Sequence, residues 1–301
     1  MGSNVSVTEI LYHREMTAPE KLYDDVLARW PVPVEQIDLP SRYGTTHVNA
    51  AGPTGGRPVV LLHGGRATST VWWGVVGPLV DAGHRVYAID LIGDNGRSIA
   101  DGEPVNGYAG YRQWLEETLD ALDIHDATLV GHSLGSHIAM QYTLHTPGRI
   151  ARLVLLDPTD CFSPTRLRFR LRAIPLFLGR KPGRWRSFIE WEAHGHRLDP
   201  PWLDLWSATW PPSPTRPRLV LPRRPDAATL AGLRIPTVVV VAGSSRQNPA
   251  RTLARNAAAH PAVTVVTIPT ATHFALPQEY PAEVVAAIAE PAEPKADKGQ
   301  A

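Results

Sequence analysis

The sequence predicts an α/β protein with a mostly parallel central sheet, helices on both faces of that sheet and an inserted helical segment. Apolar, β-branched runs recur along the chain, and helical patterns lie between the later ones. Continuous apolar runs this short are typical of strands buried on both faces, as in a parallel sheet covered by helices. The runs are Val59–Leu62, Arg85–Ile89, Ala127–Val130, Leu153–Leu156, Thr237–Val241 and Val263–Ile268.

The residues before the first of these runs predict a helix and two further strands. Pro19–Trp30 is predicted to form a surface helix. Val34–Leu39 and Thr45–Asn49 are weaker strand candidates, and Arg42-Tyr43-Gly44 between them has the composition of a turn. We therefore expect an antiparallel pair that leads into the sheet.

A long interval without strands divides the predicted core. No strand is predicted between the fourth and the fifth run, where the chain is rich in Trp, Arg and Pro. A structureless loop of that length is implausible in a compact domain, so residues 158–235 are predicted to form a helical cap. The core is then divided into 1–157 and 236–290, and the polar tail at 291–301 is predicted to be disordered.

The cap region differs from the rest of the chain in composition. It holds five tryptophans, and its 14 basic against 6 acidic residues give it a net charge of +8. Leu167, Leu171 and Ile174 have the i, i+4, i+7 spacing of an apolar helical stripe, which Pro175 would end. The tryptophans favour an aromatic pocket. The charge favours an anionic substrate group or an acidic partner such as an acyl carrier protein, unless the arginines only cover a solvated helix face.

The composition of the whole chain excludes several classes of function. A formal net charge of +1 over 301 residues gives no overall footprint for nucleic acid or an anionic membrane. The chain has no apolar run of about 18 residues, the length that spans a bilayer. Cys161 is its only cysteine, so no internal disulfide forms, and no His/Cys/Asp cluster has the spacing of metal ligands. The sequence therefore predicts a cytoplasmic protein without a metal, an organic cofactor, or a nucleic-acid or membrane partner.

A G-x-S-x-G motif at Gly131–Gly135 carries the clearest chemical signal. It follows the run Ala127–Val130 and opens a predicted helix at Leu134–His145, which is the context of a nucleophile elbow. The sharp turn leaves room only for small residues two positions before and after Ser133. We predict Ser133 as a nucleophile; the alternative is a glycine-rich turn with an idle serine.

A second glycine-rich loop, His63–Arg66, follows an earlier predicted strand. Small residues there allow a backbone N–H group to approach a substrate oxygen. We predict that the N–H groups of Gly65 and Leu134 form an oxyanion hole, commonly worth about a hundred- to a thousandfold in rate. The alternative is an ordinary turn at the end of a strand.

His273 is the predicted base. It lies in Thr270–Phe274, the loop after the last predicted strand, and from there it could take the hydroxyl proton of Ser133 and return it to the leaving group. The alternative is a surface histidine, one of 12 in the chain. His63 and His132 adjoin the same edge of the sheet and are interpreted as structural.

With these motifs in place, the chain resembles the α/β-hydrolases over about residues 20–290. Within that superfamily, Asp90–Ser98 resembles a bacterial carboxylesterase branch that is similar to the naproxen-type carboxylesterases. The resemblance implies an α/β-hydrolase fold with a cap over the active site. It also implies that Asp90 and Asp94 shape loops and have no catalytic role.

The resemblance also exposes a departure at the acid of the expected triad. Relatives usually carry this acid shortly after the strand that corresponds to Thr237–Val241, but Gly243–Pro249 contains no carboxylate and has Arg246 about where the acid belongs. We predict Asp157 as the substitute, because it ends the preceding strand, a position that some family members use, and keeps the chain order Ser, Asp, His.

Several alternatives to this acid stay open. Asp157 could be an ordinary turn residue before Pro158, and Asp160 is the next candidate. Asn248 could orient the histidine but could not neutralise the charge of the imidazolium. The triad could also be incomplete. Arg246 is expected either to pair with Asp157 or to face the pocket.

Together these residues predict a serine hydrolase that cleaves a carboxylic ester of a small, largely apolar substrate through an acyl-serine intermediate. Epoxide hydrolase and haloalkane dehalogenase chemistry is disfavoured, since both need a carboxylate at the position of Ser133. A biosynthetic acyltransferase, a cyclase or a thioesterase on the same fold, and a non-catalytic ligand binder, remain open alternatives. A homodimer and an acidic carrier protein remain open as partners of the chain.

Overall fold

The computed structural model describes residues 18–146, 148–177, 183–211, 214–215 and 222–289. Its strands are β1 (Glu35–Ser41), β2 (Gly44–Ala51), β3 (Arg57–Leu62), β4 (His84–Ile89), β5 (Ala127–His132), β6 (Ile150–Leu156), β7 (Thr237–Ala242) and β8 (Val263–Ile268). They form one eight-stranded sheet in the order β1-β2-β4-β3-β5-β6-β7-β8.

The pairing of the strands confirms the predicted fold class. β2 pairs antiparallel with both β1 and β4, and every other neighbouring pair is parallel. The lead-in pair is antiparallel as predicted, and its turn is Arg42-Tyr43, between Ser41 and Gly44. The six apolar runs all lie in strands. The inner strands β3–β7 are buried along most of their length, whereas the edge strand β8 is partly exposed.

The helices are α1 (Ala18–Leu27), α2 (Trp73–Asp81), α3 (Gly107–Ala121), α4 (Leu134–His145), α5 (Leu167–Phe177), α6 (Arg184–Ala193), α7 (Pro200–Ser207), α8 (Ala227–Leu230), α9 (Ala250–Ala258), α10 (Leu276–Glu279) and α11 (Pro281–Ala289). Two apolar clusters separate the sheet from these helices. Val59 and Leu61 of β3 belong to one cluster, and Val60 and Leu62 belong to the other. This alternation is the two-residue period of a strand buried on both sides.

The chain between β6 and β7 carries the cap. Its described residues form the helices α5, α6, α7 and α8 and contain no strand, in agreement with the predicted helical insertion. One detail of the prediction is wrong: α5 does not stop at Pro175 but continues to Phe177. A proline this close to the C-terminal end of a helix removes only a late hydrogen bond, so the last residues still follow.

The predicted apolar stripe lies on the outward face of α5. Leu167, Leu171 and Ile174 are exposed to solvent. The face that packs against the core instead carries Phe169, Ala173 and Leu176. Both rows have the same i, i+4, i+7 spacing, so the periodicity alone cannot decide which row is buried.

The remaining predictions concern the ends of the chain. The predicted helix at Pro19–Trp30 corresponds to α1, which ends at Leu27 and is followed by a turn in which the Trp30 N–H group donates to the Leu27 carbonyl at 2.9 Å. The predicted disordered tail, 291–301, lies outside the described residues. In the part of the chain that the structure describes, no helix has the length and apolar character needed to cross a bilayer.

The register of the sheet brings three strand ends together. Leu62 of β3 pairs with Gly131 of β5, and His132 pairs with Leu156 of β6. The loops that follow these strands therefore meet at one edge of the sheet, the edge at which ligands bind in open α/β folds.

Gly135 gives a test of how tightly this edge is packed. A Cβ atom at Gly135 would lie 2.3 Å from the carbonyl oxygen of Leu62 and 2.6 Å from that of His63. Gly135→Ala should lower the free energy of unfolding by about 2–3 kcal/mol, because backbone atoms cannot move aside cheaply. Urea denaturation measures the change.

Gly55→Ala is the matched control, because no atom lies within 4 Å of a Cβ atom built there. It should change the free energy of unfolding by less than about 0.5 kcal/mol. Equal effects of the two substitutions would contradict the close packing of α4 against β3.

Candidate active site

Ser133 sits on a strained turn between β5 and α4. Its backbone has φ 54° and ψ −113°, a conformation that costs energy for a residue with a side chain. The turn is held because the Ser133 N–H group donates to the Leu156 carbonyl at 3.1 Å. A Cβ atom at Gly131 would lie 2.4 Å from the backbone of Gly135. The small residues on either side of the serine are therefore a steric requirement, as the motif predicts.

The side chains of Ser133, His273 and Asp157 form a continuous hydrogen-bonded chain. Ser133 Oγ lies 2.8 Å from His273 Nε2, and His273 Nδ1 lies 2.6 Å from Asp157 Oδ2. His273 and Asp157 are completely buried, and Ser133 is 8% exposed. The geometry has the imidazole Nδ1–H donating to the carboxylate, which leaves Nε2 to accept from the serine hydroxyl. The structure thus brings together the three residues that were predicted as nucleophile, base and acid.

Asp157 is held by the strand that it ends and by the loop after β7. Its N–H group donates to the Val240 carbonyl at 2.8 Å, which continues the pairing of β6 with β7. Ser245 Oγ donates to Asp157 Oδ2 at 2.8 Å, and Asn248 Nδ2 donates to the Asp157 carbonyl at 3.2 Å. The loop without a carboxylate therefore orients the carboxylate of its neighbour. The sequence analysis did not identify Ser245, since serine beside glycine at a strand end is typical of any turn.

The alternative candidates for the acid have other partners. Asp160 accepts from the Thr165 N–H group at 2.8 Å and from the Arg170 guanidinium at 2.6 Å, so its carboxylate ties α5 to the loop after β6. Asn248 contacts the main chain of Asp157 and not the imidazole. Among the described residues, Asp157 supplies the carboxylate that hydrogen-bonds His273.

Arg246 does not pair with Asp157, so that part of the expectation is wrong. Its guanidinium donates to the Trp191 carbonyl at 2.6 Å and lies 5.0 Å from the centre of the Trp191 ring. The arginine that stands where relatives carry an acid therefore binds the cap helix α6. Among the described residues, the side-chain partners of Asp157 are His273 and Ser245 and not an arginine.

Glu192 of α6 joins the cap to the loop that carries His273. It is fully buried. Its Oε1 accepts from the N–H groups of His273 and Arg246, both at 3.0 Å, and its Oε2 accepts from the Phe274 N–H group at 3.2 Å. Buried carboxylates that accept several backbone N–H groups fix those segments strongly. Glu192 could not be identified from the sequence, because its partners lie more than 50 positions away along the chain.

Thr159 is a second polar contact of Ser133, and no local sequence pattern identifies it. Thr159 Oγ1 lies 3.2 Å from Ser133 Oγ and accepts from Gln247 Nε2 at 2.7 Å. Since the Ser133 hydroxyl donates to His273, the Thr159 hydroxyl is the donor to Ser133 Oγ. The hydrogen bonds in this network are therefore donated in one direction, from Gln247 to Thr159, from Thr159 to Ser133 and from Ser133 to the imidazole.

The two predicted oxyanion donors lie beside the nucleophile. Leu134 is the first residue of α4, so its N–H group has no acceptor within the helix. A Cβ atom at Gly65 would lie 3.6 Å from the Leu134 side chain, which places the two residues next to each other. Gly64 makes this approach possible, because a Cβ atom there would lie 2.8 Å from His132 Nδ1 and 3.1 Å from the Ser133 Cβ.

His63 and His132 make structural contacts, as they were interpreted. His63 Nε2 accepts from the Leu91 N–H group at 3.0 Å, and its Nδ1 donates to the Gly64 carbonyl at 2.9 Å. His132 Nε2 donates to the His273 carbonyl at 2.9 Å. Burial, reinforced by the nearby His273, lowers the pKa of His132 well below its ordinary value, so the ring stays neutral and holds the main chain of His273.

Asp90 and Asp94 shape the loops around this edge. Asp90 accepts from the N–H groups of Ser69 and Arg97, both at 2.7 Å, and Asp94 accepts from the Arg66 N–H group at 2.8 Å. Both carboxylates thus fix backbone segments, the role that the resemblance implies for them.

The cap covers this edge with aromatic side chains. The Phe169 ring of α5 lies 6.3 Å from the His273 ring, and the Trp206 ring of α7 lies 5.6 Å from the Phe274 ring. Trp202 and Trp206 are buried within an apolar cluster. The Arg66 guanidinium lies 4.0 Å from the centre of the Trp185 ring, and burial lowers the pKa of this arginine. Some tryptophans of the cap therefore belong to the hydrophobic core, in addition to any that line a pocket.

Comparison with known proteins agrees with this fold. A family model described as the Alpha/beta hydrolase family matches residues 59–287. The chain therefore belongs to the α/β-hydrolase family.

The most similar proteins considered are bacterial carboxylesterases, which confirms the resemblance expected from Asp90–Ser98. The uncharacterized carboxylesterase nap of Bacillus subtilis is 36% identical over 143 residues, 47% of each chain. The matched part spans about half the length of the curated relatives. The crystal structure of carboxylesterase CesB (YbfK) from Bacillus subtilis has a TM-score of 0.82 at 22% identity, over 90% of this chain and 97% of that chain. Naproxen esterase (carboxylesterase NP) from Bacillus subtilis has a TM-score of 0.79 at 25% identity, with the same coverage.

The Glu192 contacts predict a measurable effect on the loop that carries His273. Glu192→Gln keeps the volume but turns one acceptor into a donor that faces an N–H group. It should lower the free energy of unfolding by about 1–3 kcal/mol and speed amide hydrogen exchange at His273 and Phe274. Thermal unfolding and hydrogen-exchange mass spectrometry measure these effects.

Glu190→Gln on the same helix is the control, because Glu190 is exposed and its carboxylate pairs only at 3.7 Å with Arg186. Exposed ion pairs of this kind contribute about 0–1 kcal/mol to the free energy of unfolding. If exchange at His273 stays slow in Glu192→Gln, the carboxylate does not hold the loop.

Proposed function

We propose that this chain is a serine hydrolase of the carboxylesterase type, with Ser133 as nucleophile, His273 as base and Asp157 as acid. The observation that carries the proposal is the buried hydrogen-bonded chain from Ser133 Oγ through His273 to Asp157 Oδ2, with links of 2.8 and 2.6 Å. This arrangement of serine, imidazole and carboxylate is the one that activates a hydroxyl for acyl transfer.

In the proposed acylation step, Ser133 Oγ attacks the ester carbonyl carbon while His273 Nε2 takes the hydroxyl proton. The carbonyl oxygen becomes an oxyanion that accepts from the N–H groups of Gly65 and Leu134. The tetrahedral intermediate then breaks its bond to the alcohol oxygen, which receives the proton from His273 Nε2. An acyl-serine remains.

In the proposed deacylation step, a water molecule loses a proton to His273 Nε2 and attacks the acyl carbon. Collapse of the second tetrahedral intermediate returns the proton to Ser133 Oγ and releases the carboxylic acid. The Thr159 hydroxyl supports this return, since it donates to the serine oxygen as its bond to the acyl carbon breaks. Asp157 keeps the imidazole in the required tautomer and stabilises the imidazolium in both steps.

A carboxylic ester with a small, largely apolar acyl or alcohol part is the proposed substrate. The aromatic side chains around His273 support an apolar group. The relatives named carboxylesterase and naproxen esterase support the ester bond. Residues 158–235 serve as the cap in this proposal. Product analysis separates hydrolysis from the acyltransferase and cyclase alternatives, and the relative rates on an ester and its matched thioester separate an esterase from a thioesterase. All of these share the acyl-serine.

Ser133→Ala tests the nucleophile. The variant should keep the fold, but its rate of hydrolysis of p-nitrophenyl esters should fall by at least about a thousandfold, because the acyl-enzyme cannot form. A fluorophosphonate probe should label the natural chain at Ser133 and leave the variant unlabelled. Labelling of Ser133→Ala, or turnover within tenfold of the natural chain, would show that another residue is the nucleophile. A natural chain that resists the probe would instead favour a ligand binder.

Asp157→Asn tests the acid. An amide at this position favours the wrong tautomer of His273 and removes the stabilising charge. In serine proteases this change lowers kcat about ten-thousandfold. The loss should fall on kcat far more than on KM, because the interaction strengthens as the imidazolium forms. Steady-state kinetics on one ester measures both.

Asp160→Asn is the matched control for Asp157→Asn, as Asp160 is a buried carboxylate three residues away that binds Thr165 and Arg170. Its kcat should stay within about tenfold of the natural value, since it has no contact with the imidazole. Near-normal kcat in Asp157→Asn would remove Asp157 from the proposed triad and leave Ser133 and His273 to be tested separately.

A further inference from the structure

The outward face of α5 carries a contiguous apolar row. Leu167, Leu171 and Ile174 are 70%, 57% and 49% exposed, and they follow one another at i, i+4 and i+7. Among the described residues, only Ile99 and Val266 are further large hydrophobic side chains that are exposed. Single exposed apolar residues are normal on a protein surface, whereas a contiguous row marks an interaction site.

The row is additional to what holds α5 on the protein. The opposite face of the helix packs Phe169, Ala173 and Leu176 against the apolar cluster that includes Phe188. The side chain of Arg170 is joined to Asp160 at 2.6 Å. The helix is therefore anchored through its inner face, and the outer row contributes nothing to that anchoring.

The helix that carries the row is basic. Leu167–Phe177 contains Arg168, Arg170 and Arg172 and no acidic residue, and Arg170 is paired with Asp160. The guanidinium groups of Arg168 and Arg172 lie 6.0 and 4.7 Å from the centre of the ring of Trp191 on α6, so both cations lie on the flank of α5 beside that helix. A helix with an apolar row beside arginines has the character of a segment that lies in the surface of a lipid layer.

We propose that α5 is an interfacial helix that binds an anionic lipid surface. Leu167, Leu171 and Ile174 enter the outer acyl region, while Arg168 and Arg172 contact the anionic headgroups. A second copy docked through the same face would bring the arginines of both copies together, which like charge opposes. A nucleic acid would match the charge but would leave the apolar row in water.

This surface lies one helix away from the proposed active site. Phe169, on the inner face of α5, stands 6.3 Å from the His273 ring. An amphiphilic molecule that collects at a lipid surface would therefore be concentrated beside the site. The inference concerns binding and does not depend on the proposed hydrolysis. The expectation of no membrane partner was drawn from the net charge of the whole chain and from the lack of a long apolar run, and neither of these reports on an interfacial helix.

Vesicle flotation of the full chain tests the inference. Vesicles of phosphatidylcholine with phosphatidylglycerol should carry the protein, and vesicles of phosphatidylcholine alone should carry much less. The double substitution Leu171→Ser and Ile174→Ser should weaken partitioning by at least about tenfold, because the apolar area that enters the lipid is lost. Arg168→Gln with Arg172→Gln should abolish the preference for the anionic vesicles.

Val266→Ser is the control, since it removes an exposed apolar side chain from β8. It should leave flotation unchanged, and circular dichroism should show all variants folded. Absence of flotation with anionic vesicles would overturn the proposal, as would equal losses in Val266→Ser and the double serine variant. A dimer of the natural chain that the double serine variant converts to a monomer, measured by analytical ultracentrifugation, would assign the row to self-association and overturn lipid binding.

Discussion

The hydrogen bond between His273 Nδ1 and Asp157 Oδ2 is the contact on which the rest of the site depends. It fixes the tautomer of the imidazole, and the tautomer decides that the serine hydroxyl donates to Nε2 and that Thr159 donates to the serine. Both partners are fully buried, so the carboxylate is desolvated and its remaining hydrogen bond, from Ser245, has a large share in holding it in place. A buried charge tolerates few errors in the geometry of its partners.

The sheet explains how the proposed acid can lie directly after β6. Because β6 lies between β5 and β7, its last residue is beside the serine turn on one side and beside the loop after β7 on the other. The loop after β6 supplies the carboxylate of Asp157. The loop after β7 supplies Ser245 and Asn248, which hold Asp157 in place. Arg246 is then available to fasten the cap through Trp191.

Local patterns in the sequence predicted most of the elements. Apolar runs identified the inner strands because these are buried on both faces, and the predicted helix Leu134–His145 has the bounds of α4. Ser133 and His273 could be predicted because each sits at a strand end. Glu192 could not, since its role arises from backbone groups 81 positions away. The buried face of α5 could not either, since two of its faces are equally apolar.

The Glu192 carboxylate constrains how α6 can move. Moving α6 away from the sheet would remove the buried carboxylate that accepts from the N–H groups of His273, Phe274 and Arg246, and a buried N–H group without an acceptor costs free energy. The position of α6 is therefore coupled to the position of the loop that carries His273.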